Sequence, residues 1–458
     1  MAIEVYLFAV LVAALVFGNI ILRFFGRKLV TIAFNSGVLL LLILLAILLG
    51  HDSTVYLNVF SISPFSTFFF VISASGILLV NFIAYARSQD YFDFALLSSF
   101  ALAGMLIVVS ATSLVSIFLG LELINIPSVF IVLLSRKNGL EPAIKLFIMG
   151  SVAIALFSFA AVLVYGAANT LLLEQQQQNS LLLFALILFI TSLGFEASVF
   201  PFSILIPDIH QGAGAHATAM IGGVNDRIGF AALVQILVLV FVTSDFAFLV
   251  VATLSVLTIL YGNIVALVQD NLKRMLAYSS ISQVGYLLMG VAVRGSEGVS
   301  ASLFQAFAYT FLFIGTMSIV AWLESKGKKE ITDLIGLYKE NRFCAIALAI
   351  FLMSMIGIPL TTGFVGKFLI LFSVVDGGAT FVAVLGIAGT VISVFYYAKV
   401  ISAIYTNKLG ARRMQVDKPT LLVVCVCVAI TVLFGIYPQP ILDITNSAAQ
   451  FLFRGLRV

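Results

Sequence analysis

The chain has 458 residues, of which 62% are hydrophobic and only 10% are charged, and its mean hydropathy is +1.19. Because an ordinary soluble domain has about 25% charged residues, this composition excludes a cytosolic enzyme, a nucleic-acid-binding protein and a disordered protein. The net charge of +4 says little by itself, so the positions of the charges carry the information.

Apolar runs of membrane-spanning length recur along the whole chain. A bilayer-crossing helix needs about 20 such residues, whereas a strand of an outer-membrane barrel needs about 10. We therefore predict an all-α polytopic membrane protein with about fourteen spans and no soluble domain. The predicted spans are 4–24, 29–50, 66–86, 94–111, 113–134, 143–168, 180–206, 213–243, 246–269, 273–293, 300–324, 343–372, 379–405 and 419–437, followed by an interfacial helix in 441–458.

The first span is too long for the apolar region of a secretory signal, and no small-residue cleavage site follows it. We expect one membrane domain over residues 1–458. Within it we distinguish the first four spans, the remainder of a first repeat, a second repeat, and the last span with its C-terminal helix: 1–111, 113–243, 246–405 and 419–458.

Lysines and arginines are distributed unevenly between the loops. Most of the 24 follow odd-numbered spans, as Arg136 and Lys273 do, whereas the opposite loops carry only Arg294, Arg454 and Arg457. Under the positive-inside rule, the loops after odd-numbered spans face the cytoplasm and both termini face outwards. Both termini can lie on the same side only if the number of spans is even, and the predicted number of fourteen meets this condition.

Six ionisable residues fall inside predicted spans: Glu122, Glu196, Asp226, Arg227, Lys367 and Lys399. Each costs roughly 3 kcal/mol on insertion scales, so each needs a compensating reason. An ion or proton pathway with access to water is one reason. Structural ion pairs, and snorkelling of side chains near an interface, are the alternatives. Glu122 and Lys367 lie deepest, whereas Lys399 lies towards the cytoplasmic end of its span.

Prolines interrupt two spans, Pro201 with Pro207 in span 7 and Pro359 in span 12. A proline frees a backbone carbonyl, which lipid tolerates only where protein or a water-filled cavity satisfies it. Two broken helices at matching places are typical of inverted-repeat transporters, so spans 4–8 and 9–13 are predicted to form two inverted five-helix repeats. Ordinary kinks are the alternative. Gly222 and Gly223 form a third weak point.

Histidine and cysteine suggest little further chemistry. His216, at the start of span 8, is a candidate proton relay because histidine titrates near neutral pH, whereas His210 is expected nearer the interface. Cys344, Cys425 and Cys427 lie in or beside apolar runs and are interpreted as small core residues. The two-residue spacing of Cys425 and Cys427 puts this pair on different sides of a helix.

The sequence has no phosphate-binding glycine loop, dinucleotide fingerprint, CxxC cluster or histidine pair at haem spacing. No metal or other cofactor is therefore expected on this chain. Energy for transport has to come from an ion gradient or from partner subunits.

Several motifs together resemble one family. The segment QDNLKRMLAYSSISQVGY at 269–286 is similar to a signature of the antiporter-like subunits of respiratory complex I and its relatives. So are FLGLEL at 118–123, Pro201-Phe202 with Pro207-Asp208, and GFVGKF at 363–368. The resemblance covers roughly 115–405. GKF in span 12, and QGA after Pro207-Asp208, resemble the N-type subunit, the mitochondrial ND-two homologue.

The resemblance implies proton translocation driven by electron transfer in other subunits, which would carry iron–sulfur clusters and flavin and reduce a quinone or related acceptor. It implies a glutamate in span 5, lysines in spans 7 and 8, and a lysine or glutamate in span 12. Glu122 and Lys367 match the first and the last of these. Glu196 and Asp226 stand where the middle lysines are expected, with Arg227 next to Asp226. Our hypothesis is a rewired relay in which Arg227 supplies the positive charge.

Other interpretations stay open at this point. The chain could be a subunit of a multisubunit Na⁺/H⁺ antiporter of the Mrp type, or a structural scaffold with a degenerate channel. The expected partners are other membrane subunits, a peripheral redox arm and lipid, with no nucleic acid. The expected location is a prokaryotic cytoplasmic membrane, with an organellar inner or thylakoid membrane as the less favoured alternative.

Overall fold

The computed structural model describes residues 2–49, 54–56, 60–136, 138–176, 179–407 and 413–454, and for 2–9, 49 and 54–56 it describes the backbone alone. Nearly all of the described chain is helical. The helices are α1 (Ala2–Phe25), α2 (Lys28–Leu49), α3 (Pro64–Arg87), α4 (Tyr91–Val109), α5 (Leu114–Leu134), α6 (Leu140–Ala168), α7 (Ser180–Glu196), α8 (Ile206–Gly212), α9 (Ala215–Met220), α10 (Asp226–Leu239), α11 (Asp245–Leu267), α12 (Leu272–Val291), α13 (Ser296–Ser325), α14 (Leu337–Glu340), α15 (Arg342–Ile356), α16 (Thr362–Asp376), α17 (Thr380–Tyr405), α18 (Lys418–Ile436) and α19 (Gln439–Phe453). A π-helical turn (Ile221–Asn225), a 3₁₀ turn (Ile331–Leu334) and an antiparallel pair of short strands, β1 (Thr54–Tyr56) and β2 (Phe60–Ile62), complete the elements.

The prediction of a helical, multi-pass membrane protein is confirmed. Within the described residues, ten helical segments are long and apolar enough to cross a membrane. Each of the fourteen predicted spans overlaps at least one helix. Several of these helices, α12 among them, are too polar or too short to meet the criteria of length and hydropathy.

The centre of the molecule is α13, which contacts helices of both halves of the chain, including α3, α10, α12, α16 and α18. Every residue from 298 to 323 is buried. A helix that is apolar on all sides has no reason to face water, and α13 also carries polar side chains such as Gln305 and Thr310, which would be costly against lipid. Outer helices instead expose large apolar side chains, for example Phe147 and Phe395.

The chain leaves the helical path at both predicted breaks. Helix α7 ends at Glu196, and Pro201 lies in the non-helical segment before α8. Helix α15 ends at Ile356, Gly357 adopts φ +100°, and Pro359 precedes α16. Pro207 lies in the first turn of α8, where proline is well tolerated, so it starts a helix and does not break one.

The predicted weak point at Gly222 and Gly223 is the π-helical turn. These two glycines let α13 approach, because a Cβ on Gly222 would lie 2.8 Å from Phe313, and one on Gly223 would lie 2.8 Å from Ile314. Single π-helical turns are frequent at functional sites. This one brings Asn225 and Asp226 into the interior.

The C-terminal helix predicted in 441–458 is present as α19, which packs against α3 and α13. Ser300 of α13 donates a hydrogen bond to Thr445 at 3.0 Å and to Asn446 at 2.6 Å. Residues 455–458 and Met1 lie outside the described residues, as do four of the loop cations that determine the predicted orientation: Lys137, Lys408, Arg412 and Arg457.

Candidate functional site: a buried polar path

The path begins on α5, where Glu122 is half-buried. One turn further, Asn125 donates a hydrogen bond to Glu196 Oε1 at 2.8 Å. Pro127 lies inside α5 and leaves the carbonyl of Leu123 without its helical donor. The sequence reasoning missed Asn125 and Pro127, although a proline and an amide inside an apolar run were visible signals.

Glu196 ends α7, and the chain then turns towards Asp226 at the start of α10. Ser198 donates a hydrogen bond to Asp226 Oδ2 at 3.1 Å. Helix α10 can approach because it has glycine at position 229, where a Cβ would lie 2.6 Å from the backbone of Glu196. The break after α7 therefore brings the two carboxylates into one region.

A small cavity of about 30 Å³ lies between these groups. Its polar lining consists of Asn125, Ser128, Glu196, Asn225 and Asp226. Asn225 donates to Ser128 Oγ at 2.7 Å, and its own Oδ1 has no hydrogen-bond partner among the described residues. A site of this size and polarity has room for water.

Arg227 is 1% exposed, and its guanidinium nitrogens have no hydrogen-bond partner in the described part of the chain. Its charge is compensated in two ways. Nη2 lies 4.0 Å from Asp226 Oδ2, and the guanidinium lies 5.1 Å from the centre of the Tyr309 ring. At an effective dielectric constant of about 20, the first contact corresponds to roughly 4 kcal/mol of attraction. The positive charge of Arg227 therefore lies beside Asp226.

Amide side chains continue the path into the second half. Gln305 lies one helical turn from Tyr309 on α13 and donates to Gln283 of α12 at 3.1 Å. Gln283 donates to the carbonyl of Met355 at 3.3 Å, and the same carbonyl accepts from Lys367 at 2.6 Å. The three uncharged residues were missed because a single glutamine or tyrosine in an apolar run is common.

Lys367 is 3% exposed and ends the path in α16. The broken end of α15 holds it, since its ammonium donates to the carbonyls of Met355 and Ile356, the latter at 3.3 Å. Carbonyls at a helix C-terminus lack helical donors and favour a cation. The ammonium also lies 4.7 Å from the centre of the Tyr286 ring. The break at Pro359 therefore creates the lysine site.

We name the chain of residues just described the central path: Glu122, Asn125, Glu196, Asp226, Arg227, Tyr309, Gln305, Gln283 and Lys367. Lys399 is outside it. It agrees with the snorkelling alternative, because the side chain is 44% exposed and forms an ion pair with Asp270 at 2.9 Å. The flexible lysine stem lets the ammonium reach polar groups near the end of α17.

His216 is buried but lies apart from the central path, in edge contact with the Phe94 ring at 5.5 Å. His210, expected nearer the interface, is 0% exposed. Lys273, interpreted above as a loop cation, is also buried. It lies in the first turn of α12 and pairs with Glu324 at 2.7 Å. Sequence reasoning missed Glu324, which lies at the end of span 11.

Cys344 and Cys427 are buried, as expected of core residues, and Cys425 lies on a different side of α18 from Cys427. The interpretation of Cys425 as a core residue is wrong, because this side chain is exposed on the outer side of that helix. Within the described residues no group of three histidine, cysteine or acidic side chains could hold a metal ion.

Comparison with known proteins gives consistent matches. Residues 111–393 match the family described as "NADH:quinone oxidoreductase/Mrp antiporter, TM". The chain is 31% identical over 390 residues to NADH-quinone oxidoreductase subunit N of Rhodospirillum rubrum, covering 82% of this chain and 80% of the relative. It is 31% identical over 425 residues to F(420)H(2) dehydrogenase subunit N of Methanosarcina mazei, covering 87% and 86%.

The fold is also similar to a chain of the Mrp complex from Dietzia sp. DQ12-45-1b. The TM-score is 0.91 at 20% identity, and the match covers 99% of this chain and 98% of the other. The chain therefore belongs to the family of transmembrane subunits shared by NADH:quinone oxidoreductases and Mrp antiporters.

Proposed function

We propose that this chain is the N-type, proton-translocating subunit of a redox-driven complex I type oxidoreductase in a prokaryotic cytoplasmic membrane. The observation that carries the proposal is the central path, which runs from a half-buried carboxylate on α5 to a buried lysine on α16. Buried ionisable groups inside a membrane protein are costly and mark ion or proton routes. The two relatives reported above are both N subunits of dehydrogenases or oxidoreductases.

The same proposal includes the finer architecture. Fourteen spans are supported by the overlap of each predicted span with a helix. The position of both termini outside is supported by the uneven distribution of lysines and arginines between the loops. Two inverted repeats are supported by the breaks after α7 and α15, each of which positions a charged residue, Glu196 in one case and Lys367 in the other. The division at 1–111, 113–243, 246–405 and 419–458 follows from this arrangement.

In the first half, the proposed route uses acids where the family pattern has lysines. Glu196 exchanges a proton with the small cavity, Asp226 takes it up, and Arg227 holds the positive charge that a lysine otherwise supplies. Glu122 and Lys367 keep the roles that the resemblance implies. The 4.0 Å separation of Asp226 and Arg227 supports this assignment.

Electron transfer is assigned to partner subunits carrying iron–sulfur clusters and flavin, which we propose reach this chain through neighbouring membrane subunits. The contribution of this chain is to bind and move protons at its buried charges. A change of charge in the neighbouring subunits would change how strongly Glu196 and Asp226 hold a proton beside Arg227.

A second candidate is a subunit of an Mrp-type Na⁺/H⁺ antiporter. The fold similarity to the Mrp complex supports it, and so do the carboxylates of Glu196 and Asp226, since oxygen ligands suit hard cations. The third candidate function is that of a structural scaffold subunit with a degenerate channel.

Purification of the native complex, with identification of its subunits by mass spectrometry, tests the proposal. Iron–sulfur and flavin subunits, together with proton uptake into inverted vesicles driven by an electron donor, would support it. Small membrane subunits alone, with sodium-dependent proton exchange, would instead support the antiporter. Glu196→Gln and Arg227→Ala variants test the relay, and normal pumping in both would contradict it.

A further inference from the structure

The small cavity between α5, α7 and α10 is lined by more oxygen atoms than the transfer of a proton requires. Its volume is about 30 Å³, and apolar side chains such as Met149, Phe195 and Ile206 enclose the polar part of its lining. Because about 10–15 Å³ of such space already holds one water molecule, the cavity has room for a small ion. A proton, in contrast, needs only a single acceptor atom.

Asn225, in the π-helical turn, contributes a free oxygen to this lining. Ser128 donates its hydroxyl proton to the carbonyl of Ile124 at 2.6 Å, and a hydroxyl has only one proton to donate. Asn225 Nδ2 is therefore the donor in its 2.7 Å contact with Ser128, which fixes the orientation of the amide. Its Oδ1 is enclosed and has no hydrogen-bond partner in the part of the chain that the structure describes. An enclosed acceptor of this kind costs free energy unless a donor or a cation contacts it.

Two carboxylates complete the set of oxygens. Glu196 Oε1 accepts from Asn125 at 2.8 Å, and Asp226 Oδ2 accepts from Ser198 at 3.1 Å. The second oxygen of each carboxylate receives no hydrogen bond from any described residue. Both acids line the cavity together with Asn225, so three side-chain oxygens are available there without the loss of any protein hydrogen bond.

The charges around the cavity leave it negative. Arg227 compensates Asp226, from which it lies 4.0 Å away, and its guanidinium also lies over the Tyr309 ring. Glu196 has no ion-pair partner in the described part of the chain, and Glu122 on α5 is close enough to add negative charge. A buried carboxylate without a positive partner is costly. One monovalent cation in the cavity would compensate Glu196.

We propose that this cavity is a binding site for one sodium ion, with the oxygens of Glu196, Asn225 and Asp226 as ligands. Oxygen atoms suit hard cations, and helix ends at such breaks coordinate sodium in transporters. Only two of the three ligands are acidic and one of these is already paired, so a single positive charge suffices and a divalent ion would be overcompensated. Potassium is larger than sodium and fits a cavity of this size poorly.

This site is also part of the proposed proton route. Competition between sodium and the transported proton for the same carboxylates therefore rests on the proposed function. Binding of sodium by itself does not, because it requires neither electron transfer nor transport. The two can be measured separately.

The first experiment measures binding to the purified, assembled complex. Radioactive sodium is titrated at constant ionic strength with choline as the replacing cation, because choline is too large for the cavity and screening then stays constant. We expect saturable binding that unlabelled sodium displaces at least ten times more effectively than potassium does. No saturable binding above the choline background, or equal displacement by sodium and potassium, would overturn the inference.

Variants assign the bound ion to this cavity. Asn225→Leu removes Oδ1 and Glu196→Gln removes a negative charge, so each should weaken sodium binding at least tenfold. Asn81→Leu is the matched control, because Asn81 is 3% exposed and its Oδ1 also lacks a hydrogen-bond partner among the described residues, but it does not line the cavity. Wild-type affinity in Asn225→Leu or in Glu196→Gln, or an equal loss in Asn81→Leu, would refute the site.

Asn225→Asp guards against a loss that comes only from poor assembly. It keeps an oxygen at this position and adds a negative charge, so it should bind sodium at least as tightly as the unmodified complex, and weaker binding would contradict the proposed ligand. Donor-driven proton uptake in inverted vesicles is measured in parallel. Proton uptake without sodium binding would refute this inference alone, whereas sodium binding that follows the variants, in a complex that moves no protons, would refute the proposed function alone.

Discussion

Arg227 offers a sharp test of the central path, because its charge is fully buried and has one close acidic partner. Replacing Arg227 with methionine keeps a long, unbranched side chain and removes the positive charge. The separation of 4.0 Å from Asp226 corresponds to roughly 4 kcal/mol of attraction at an effective dielectric constant of about 20. Breaking a buried ion pair on one side typically costs about 3–5 kcal/mol. We therefore expect Arg227→Met to lower the stability of the complex by a similar amount.

The double variant Asp226→Asn with Arg227→Met separates stability from transport. It leaves no uncompensated charge at this pair, so most of the lost stability should return. Proton transport should stay low in both variants, since an energetic loss of roughly 4 kcal/mol at a charged step corresponds to as much as about a thousandfold in rate. A decrease of at least tenfold is the expected result.

Donor-driven proton uptake in inverted vesicles and the melting temperature of the purified complex are the two readouts. Arg294→Met is the control, because Arg294 pairs with the 96% exposed Asp245 and such surface pairs contribute at most about 1 kcal/mol. Transport within twofold of the unmodified protein in the double variant would refute the relay. Unchanged stability in Arg227→Met would show that the pair is not coupled.

Three further predictions concern other parts of the chain. Lys367→Met should abolish proton uptake in assembled complex, whereas Lys399→Met, at an exposed ion pair, should leave it within twofold; equal losses would contradict the central path. Gly229→Ala places a Cβ 2.6 Å from the backbone at the end of α7, so overpacking should cost about 1–3 kcal/mol and lower the melting temperature, and an unchanged melting temperature would contradict this packing. Partial burial raises the pKa of Asp417, but the Thr420 hydrogen bonds and Arg87 lower it more, so its net pKa is below the ordinary value. A carboxylate whose pKa is lowered in the folded state adds to the free energy of unfolding. This contribution is fully present above the unfolded pKa of about 3.9 and is lost as the pH falls through the folded-state pKa. Asp417→Asn should therefore remove a small part of the acid dependence of stability, seen in melting temperatures between neutral and acidic pH; an identical pH profile would contradict it.

The sequence predicted most of the helical architecture, because span length and hydropathy are local properties. It also identified the positions of the breaks at Pro201 and Pro359, since proline acts through its own backbone. Burial was less predictable. Lys399, inside a predicted span, is exposed and paired with Asp270, whereas Lys273, interpreted as a loop cation, is buried and paired with Glu324.

The tertiary structure alone decided which polar groups meet. Asn125 and Glu196 are 71 residues apart, and Gln283 and the Met355 carbonyl are 72 apart, so no local pattern predicts either contact. The sequence by itself determined that this is a helical membrane protein of a recognisable family with six charged residues inside its spans. The packing of α10, α12 and α16 against α13, and of α7 against α10, decided that five of them lie along one path. A buried charge is tolerated only where other elements supply its partners.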